Sequence, residues 1–364
     1  MKISKEIESI FIFLSTIIGL GVFVLPYAFL QGKLWFIFWL GFWFIVFYII
    51  HLIFAEIIFQ TKEKHNLPGL AAIYLHPNLK HLVWVFDYFG MMGVFWIYLL
   101  SLEKFWGTIF PDKTFLIKFI FVFFNLFFIT KNLKIFAGFE TILGIAIIFL
   151  FLIISFWFGI KADINNLTNL FNFQGDFFLP YGVLLFAFSG ISAVPLVFDL
   201  VGKEKEKFRK INLFSLVLVT SIYLFYSLSI ISFLGNKTSE ISLDVLKPFI
   251  PLPLFLFILI LVTFNIMLVD LAFYLKRGLQ ADYGLSERRT NLILIFSILL
   301  LLFLPANSLI KIISLVSDVF LGFNLLILNL IYLKLKEKKF FIFPKVLIIL
   351  ISLILFLGMI YEIF

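Results

Sequence analysis

The sequence predicts an all-α integral membrane protein of about eleven spans, arranged as two halves of opposite topology. Three observations predict it. The chain of 364 residues is 63% hydrophobic and 14% charged, where soluble chains carry about 25% charged residues. Its apolar residues gather into runs close to the roughly 20 residues that cross a bilayer core. Two of those runs, five spans apart, are each interrupted by a glycine that a proline follows five residues later.

The spans fall near 9–30, 34–60, 82–107, 115–130, 135–159, 177–200, 211–234, 252–275, 290–305, 308–333 and 341–361. Those at 115–130 and 290–305 are the shortest. The chain reads as one transmembrane domain, with 1–160 as the first half, 177–335 as the second, and 341–361 as a further peripheral span. The first run lacks a small-x-small cleavage site and is expected to stay in the mature chain. The loop at 61–81 is expected to form a short helix at the inner surface, and QADYGLSERR a polar inner turn.

With the N-terminus inside, 21 of the 29 Lys and Arg residues fall on inner segments. This positive-inside bias predicts a cytoplasmic N-terminus and, after eleven spans, an outer C-terminus; the expected location is the cell membrane. The net charge of +8 is therefore a topology signal and not a nucleic-acid footprint. The KEKEKFRK run at 203–210 reads as a solvated inner loop. The chain has no cysteine, which excludes disulfides, thiolate metal sites and a Cys nucleophile.

Span 1 contains STIIGLGVFVLPYA at 15–28, and span 6 contains LLFAFSGISAVPLVF at 184–198. The spacings Gly21 to Pro26 and Gly190 to Pro195 match. An odd number of crossings separates the two spans, so they run in opposite directions. Corresponding breaks in two inverted halves mark the binding site of a secondary transporter. Glycine permits irregular backbone, and proline removes a ladder hydrogen bond. In hydrocarbon the freed groups need partners. N–H groups starting near Val22 suit a carboxylate. Carbonyls near Gly19, Leu20, Phe188 and Ser189 suit an ammonium group or a cation. The alternative is a pair of proline kinks with tight glycine packing.

GLGVFVLPYAFLQG resembles the Gly-x-Gly-x-x-x-x-Pro-Tyr-Ala signature of the amino acid/auxin permease and aromatic amino acid permease families. FAFSGISAVPLV is similar to their sixth span, and YLKRGLQADYGLSERR to the inner loop after span 8. These families belong to the amino acid–polyamine–organocation superfamily. The resemblance implies a LeuT-type fold of ten core helices and ion-coupled amino acid uptake with no cofactor. It puts the substrate's main-chain groups at Gly19, Leu20, Gly21, Val22, Phe188, Ser189 and Gly190. It leaves open a polyamine or other organic-cation substrate.

Carboxylates inside spans cost about 2.5–3.5 kcal/mol at a helix centre and should face the bundle. Asp318 in span 10 sits near mid-depth and is the preferred proton-coupling candidate. Glu56, Asp87, Glu140, Asp199 and Asp270 lie nearer inner span ends, where snorkelling or an ion pair suffices. His51 in span 2 reads as a packed histidine before a proton site. Thr263 in span 8, with span 1 oxygens near Ser15, Thr16 and Gly19, is the sodium alternative. Its competing role is a hydroxyl bonded back to its own helix. Some members of the superfamily resembled place a lysine in span 5 at the sodium position. IFAGFETILGIAIIFLFLIISFWFGI has none. The coupling ion is thus H+ or Na+, with the balance toward H+. No dinucleotide fingerprint, hydrolase elbow or His-Glu-x-x-His motif is present, and no catalytic residue or resident metal is expected. A membrane-embedded enzyme or a channel is the lesser alternative. The expected partners are the lipid bilayer and an amino acid, with no obligatory protein partner.

Overall fold

The computed structural model describes residues 4–63, 65–107, 109–129, 133–265, 269–305, 308–335 and 339–364, without the side chains of 127–129, 133–141, 143, 261, 264–265 and 269–273. These residues form the eleven helical spans in the predicted order. Span 1 is split into Lys5–Ile17 and Leu25–Gly32, with a 3-10 turn between. Spans 2 to 5 are Leu34–Gln60, Leu79–Gly107, Thr114–Ile129 and Leu133–Gly159. Span 6 is split into Leu179–Ala187 and Ala193–Leu200. Span 7 is Lys205–Leu234, span 8 comprises Leu252–Asn265 and Val269–Tyr283, and span 9 is Glu287–Leu301. Span 10 runs from Leu309 to Lys334, and span 11 is Lys345–Ile363. Among the described residues, five unbroken helices are long and apolar enough to cross a bilayer alone, namely spans 2, 3, 7, 10 and 11.

Local chemistry sets the ends. Ser4 caps span 1 by accepting from the Ile7 N–H, and Glu6 and Glu8 favour the positive helix start. Pro26 and Pro180 sit in first turns, where no donor is needed. The polar turn expected at 280–289 is largely helical instead. Span 8 runs on to Tyr283, Gly284 closes it at φ +64, and Ser286 caps span 9 through the Arg289 N–H. Span 9 consequently starts and ends earlier than expected. The loop at 61–81 does carry a helix, Leu67–Tyr74.

The broken spans pack on each other head to tail. Lys5–Ile17 lies against Ala193–Leu200, and Leu25–Gly32 lies against Leu179–Ala187. Span 7 packs along both halves of span 1 and along spans 2 and 5. Span 2 holds the entry to span 6 with a ladder of indoles. Trp35, Trp39 and Trp43 donate Nε1–H to the carbonyls of Phe173, Phe177 and Tyr181, at 3.2, 2.7 and 3.0 Å. The donors recur every fourth residue, the spacing that stacks groups on one helix face, and the acceptors keep that spacing along the non-helical approach to span 6 and into its first turn. Large apolar side chains outside the bundle, among them Phe123, Phe149, Phe156, Phe296 and Leu357, are exposed and form a surface suited to lipid.

Candidate functional site

Span 1 stops at Ile17 because the next residues turn away from the helix. Ile18 takes φ −80 and ψ 80, and the Gly19 N–H donates to the Ile17 carbonyl at 2.9 Å. That is an inverse γ-turn. One 3-10 turn, Leu20–Phe23, follows before the helix resumes. N–H groups at the start of such a turn have no partner within it. Span 6 stops at Ala187. The Ser189 N–H donates to the Phe186 carbonyl at 3.1 Å, and the Ala193 N–H to the Gly190 carbonyl at 3.1 Å as helix restarts. Pro195 is the third residue of that restarted helix, again where a missing N–H costs little.

A single hydroxyl joins the two breaks. Buried Tyr223 of span 7 lies 2.9 Å from the Ile17 carbonyl and 2.6 Å from the Ala187 carbonyl, so its one proton serves both freed oxygens. The glycines set how close the breaks come. A Cβ on Gly21 would sit 3.0 Å from the Ala187 Cα and 3.1 Å from its Cβ. A Cβ on Gly190 would sit 2.5 Å from the Ile17 Cγ1.

Between the breaks and spans 3, 8 and 10 lies a cavity of about 80 Å³. Ser15, Thr16, Gly19 and Gly21 line it from span 1, and Ser189, Ile191 and Ser192 from span 6. Span 3 contributes Asp87, Met91, Val94 and Tyr98, one face of a helix at i, i+4, i+7 and i+11. The Tyr98 hydroxyl lies 2.7 Å from where a Gly19 Cβ would stand. At the other end Asp87 is buried, and its Oδ1 accepts from Asn324 Nδ2 at 3.1 Å and the Tyr274 hydroxyl at 3.4 Å. Asn66, which precedes the 67–74 helix, donates to the Tyr274 carbonyl at 2.6 Å. No His/Cys/Asp/Glu group suited to a metal occurs among the described residues.

The sequence-predicted residues separate into two sets. Ser15, Thr16, Gly19, Gly21 and Ser189 meet on the cavity. Leu20, Val22, Phe188 and Gly190 are buried outside its lining; Phe188 stacks on Phe47 with ring centroids 6.1 Å apart. Asp318 is also outside. It lies on a π-helical stretch, Leu315–Leu321, accepts from the Ser317 hydroxyl at 2.8 Å, and sits over Gly182 of span 6. Thr263 is remote from the span 1 oxygens. It donates to the Leu259 carbonyl at 2.6 Å, accepts from Trp106 at 3.1 Å, and faces a separate groove. Thr16 likewise donates back to the Ile12 carbonyl at 2.8 Å. Glu56 is a structural ion pair with Lys205 at 3.3 Å. His51 is packed on Phe13 and bonded to Asn212 at 2.8 Å. The side chains of Glu140 and Asp270 lie outside the described residues. Sequence reasoning ranked Asp87 below Asp318 and passed over Tyr223 and Asn324. The i, i+4, i+7, i+11 series through Asp87 and Tyr98 was the available signal.

No family model matches the chain, and no curated protein matches it. Among solved structures it is similar to MhsT, solved in complex with L-phenylalanine, with a TM-score of 0.68 over 97% of this chain and 98% of that one, at 14% identity. The fold is the LeuT type. It is the architecture the sequence resemblance implied, and the breaks in spans 1 and 6 are its central feature here.

Proposed function

We propose that this chain is a secondary transporter, not an enzyme, that carries an amino acid across the cell membrane coupled to an H+ or Na+ gradient. We place it with the amino acid/auxin and aromatic amino acid permeases that its span 1 and span 6 motifs resemble. The observation that carries the reading is the cavity bounded by both helix breaks. Free N–H groups at the start of the 20–23 turn favour an α-carboxylate. The hydroxyls of Ser189 and Ser192 and the carbonyls freed at the breaks favour an α-ammonium. The solved neighbour holds an amino acid, L-phenylalanine, which agrees with such a ligand. The positive-inside bias supports a cytoplasmic N-terminus and an outer C-terminus.

Radiolabelled uptake into proteoliposomes tests the reading. Free amino acids should compete for uptake, while decarboxylated or N-blocked analogues compete poorly. Equal competition by amines lacking a carboxylate would overturn the amino acid assignment in favour of an organic cation.

A further inference from the structure

We propose that Asp87 binds the coupling proton, holding it in a paired acid–amide contact with Asn324. This rests on the reading of the chain as an ion-coupled carrier and names the ion and its site.

Three observations converge on this residue. Asp87 is the one charged side chain in the described lining of the cavity, and no Lys, Arg or His stands there to balance it. Its Oδ1 already takes the Asn324 amide N–H and the Tyr274 hydroxyl. The remaining polar atom of that amide, Asn324 Oδ1, is buried with no partner among the described residues. An ionised carboxylate is an acceptor only and can do nothing for a second acceptor beside it. A proton on Asp87 Oδ2 makes the acid a donor. It then gives O–H to the amide oxygen while receiving N–H from the amide nitrogen, and both groups are satisfied. Turning the amide round leads to the same requirement. The amide oxygen would then face Asp87 Oδ1, and only a protonated acid tolerates that.

The location suits coupling. Asp87, Tyr274 and Asn324 stand on spans 3, 8 and 10. Loss of the proton sets a carboxylate against an amide oxygen and weakens the contact between spans 3 and 10. Asn324 lies three residues beyond the π-helical stretch Leu315–Leu321, a departure from regular helix of the kind found where helices adjust. The proton comes from water on one side and leaves to water on the other, and no covalent bond to substrate forms.

Tyr274 faces Asp87 directly, and the other ionisable groups around it have partners elsewhere. Asp282, at the end of the same span 8 helix, accepts from His65 at 2.9 Å and the Gly69 N–H at 3.2 Å. Tyr88 is turned to Ser297 of span 9 at 2.6 Å. Asp318 of span 10 lies against Gly182 of span 6.

The test combines transport with infrared spectroscopy on the full-length protein. With one proton per substrate, a gradient of one pH unit should give about tenfold accumulation in proteoliposomes of the unaltered protein. Asp87→Asn should hold a ratio of one at every gradient. Asp87→Glu should restore the response with a displaced pH profile. In detergent, a protonated-carboxyl C=O band should appear on acidification, be absent in Asp87→Asn, and shift in Asn324→Ala. If Asp87→Asn does not fold, the bands of Asp87→Glu and Asn324→Ala decide. Gradient-driven accumulation by Asp87→Asn, or a titrating band indifferent to residues 87 and 324, overturns the proposal. So does a pH-independent need for an acid at 87 with competition by simple amines, which makes it a cation site. If the transported solute proves to lack a carboxylate while the band and gradient responses hold, the amino acid reading fails and the proton assignment stands.

Discussion

The breaks in spans 1 and 6 share a glycine-to-proline spacing and differ in almost everything built on it. Span 1 replaces its lost helix with a γ-turn and a 3-10 turn, and presents Thr16, Gly19 and Gly21 to the cavity. Span 6 crosses the gap in a short loop. It turns Phe188 and Gly190 into the protein, against Phe47 and Ile17, and offers Ser189, Ile191 and Ser192 to the cavity. Each conserves space for the other, because Gly21 admits Ala187 and Gly190 admits Ile17. The matched spacing thus marks where helix stops. Which residues become wall is decided by how the halves of opposite direction lie against each other.

The largest effect should come from filling either approach. Gly21→Leu and Gly190→Leu should both abolish uptake while the protein still inserts in the membrane, read by proteoliposome transport and membrane extraction. Full uptake by either variant would break the idea that the two spans need this contact. Next in size is the shared hydroxyl. Tyr223→Phe removes the donor shared by two buried carbonyls; the Ile17 oxygen keeps the Gly19 N–H, while the Ala187 oxygen loses its side-chain donor, at about 1–3 kcal/mol for that group. A clear drop in melting temperature in detergent should accompany lower uptake, and an unchanged melting temperature would show that the breaks do not depend on this link. The smallest substitution sharpens the contrast between the glycines. Gly190→Ala should cost about 1–3 kcal/mol by overpacking, and should cost far less in an Ile17→Ala background, because the obstruction is a side chain. Gly21→Ala should resist any such rescue, because its nearest neighbour is the Ala187 backbone. Thermal stability of the single and double variants separates the two cases.

Much of the architecture was legible from the chain. Composition and run length specify spans because bilayer thickness is fixed and backbone groups must be satisfied inside it. The Gly21–Pro26 and Gly190–Pro195 pairs locate the breaks because both residue types act on the backbone locally. Five of the named residues, Ser15, Thr16, Gly19, Gly21 and Ser189, meet on one cavity. Leu20, Val22, Phe188 and Gly190 do not line it, since a broken helix shows only one side to any cavity and the register of that side depends on its neighbours.

Carboxylate roles were the hardest to read. Depth along a span is visible in sequence, and by that measure Asp318 stands ahead of Asp87. Direction around the helix axis relative to other spans is not visible. Asp318 points at Gly182, and Asp87 points into the cavity beside Tyr274 and Asn324, residues nearly 190 and 240 positions away. The sequence by itself determined the membrane class, the spans, the two breaks and the bias in charge, all consequences of local hydropathy and backbone chemistry. Tertiary structure alone decided which acid meets the cavity, that one tyrosine joins both breaks, and that Thr263 stands apart from span 1. Those outcomes follow from packing between distant helices, whose rotation about their own axes no local pattern encodes.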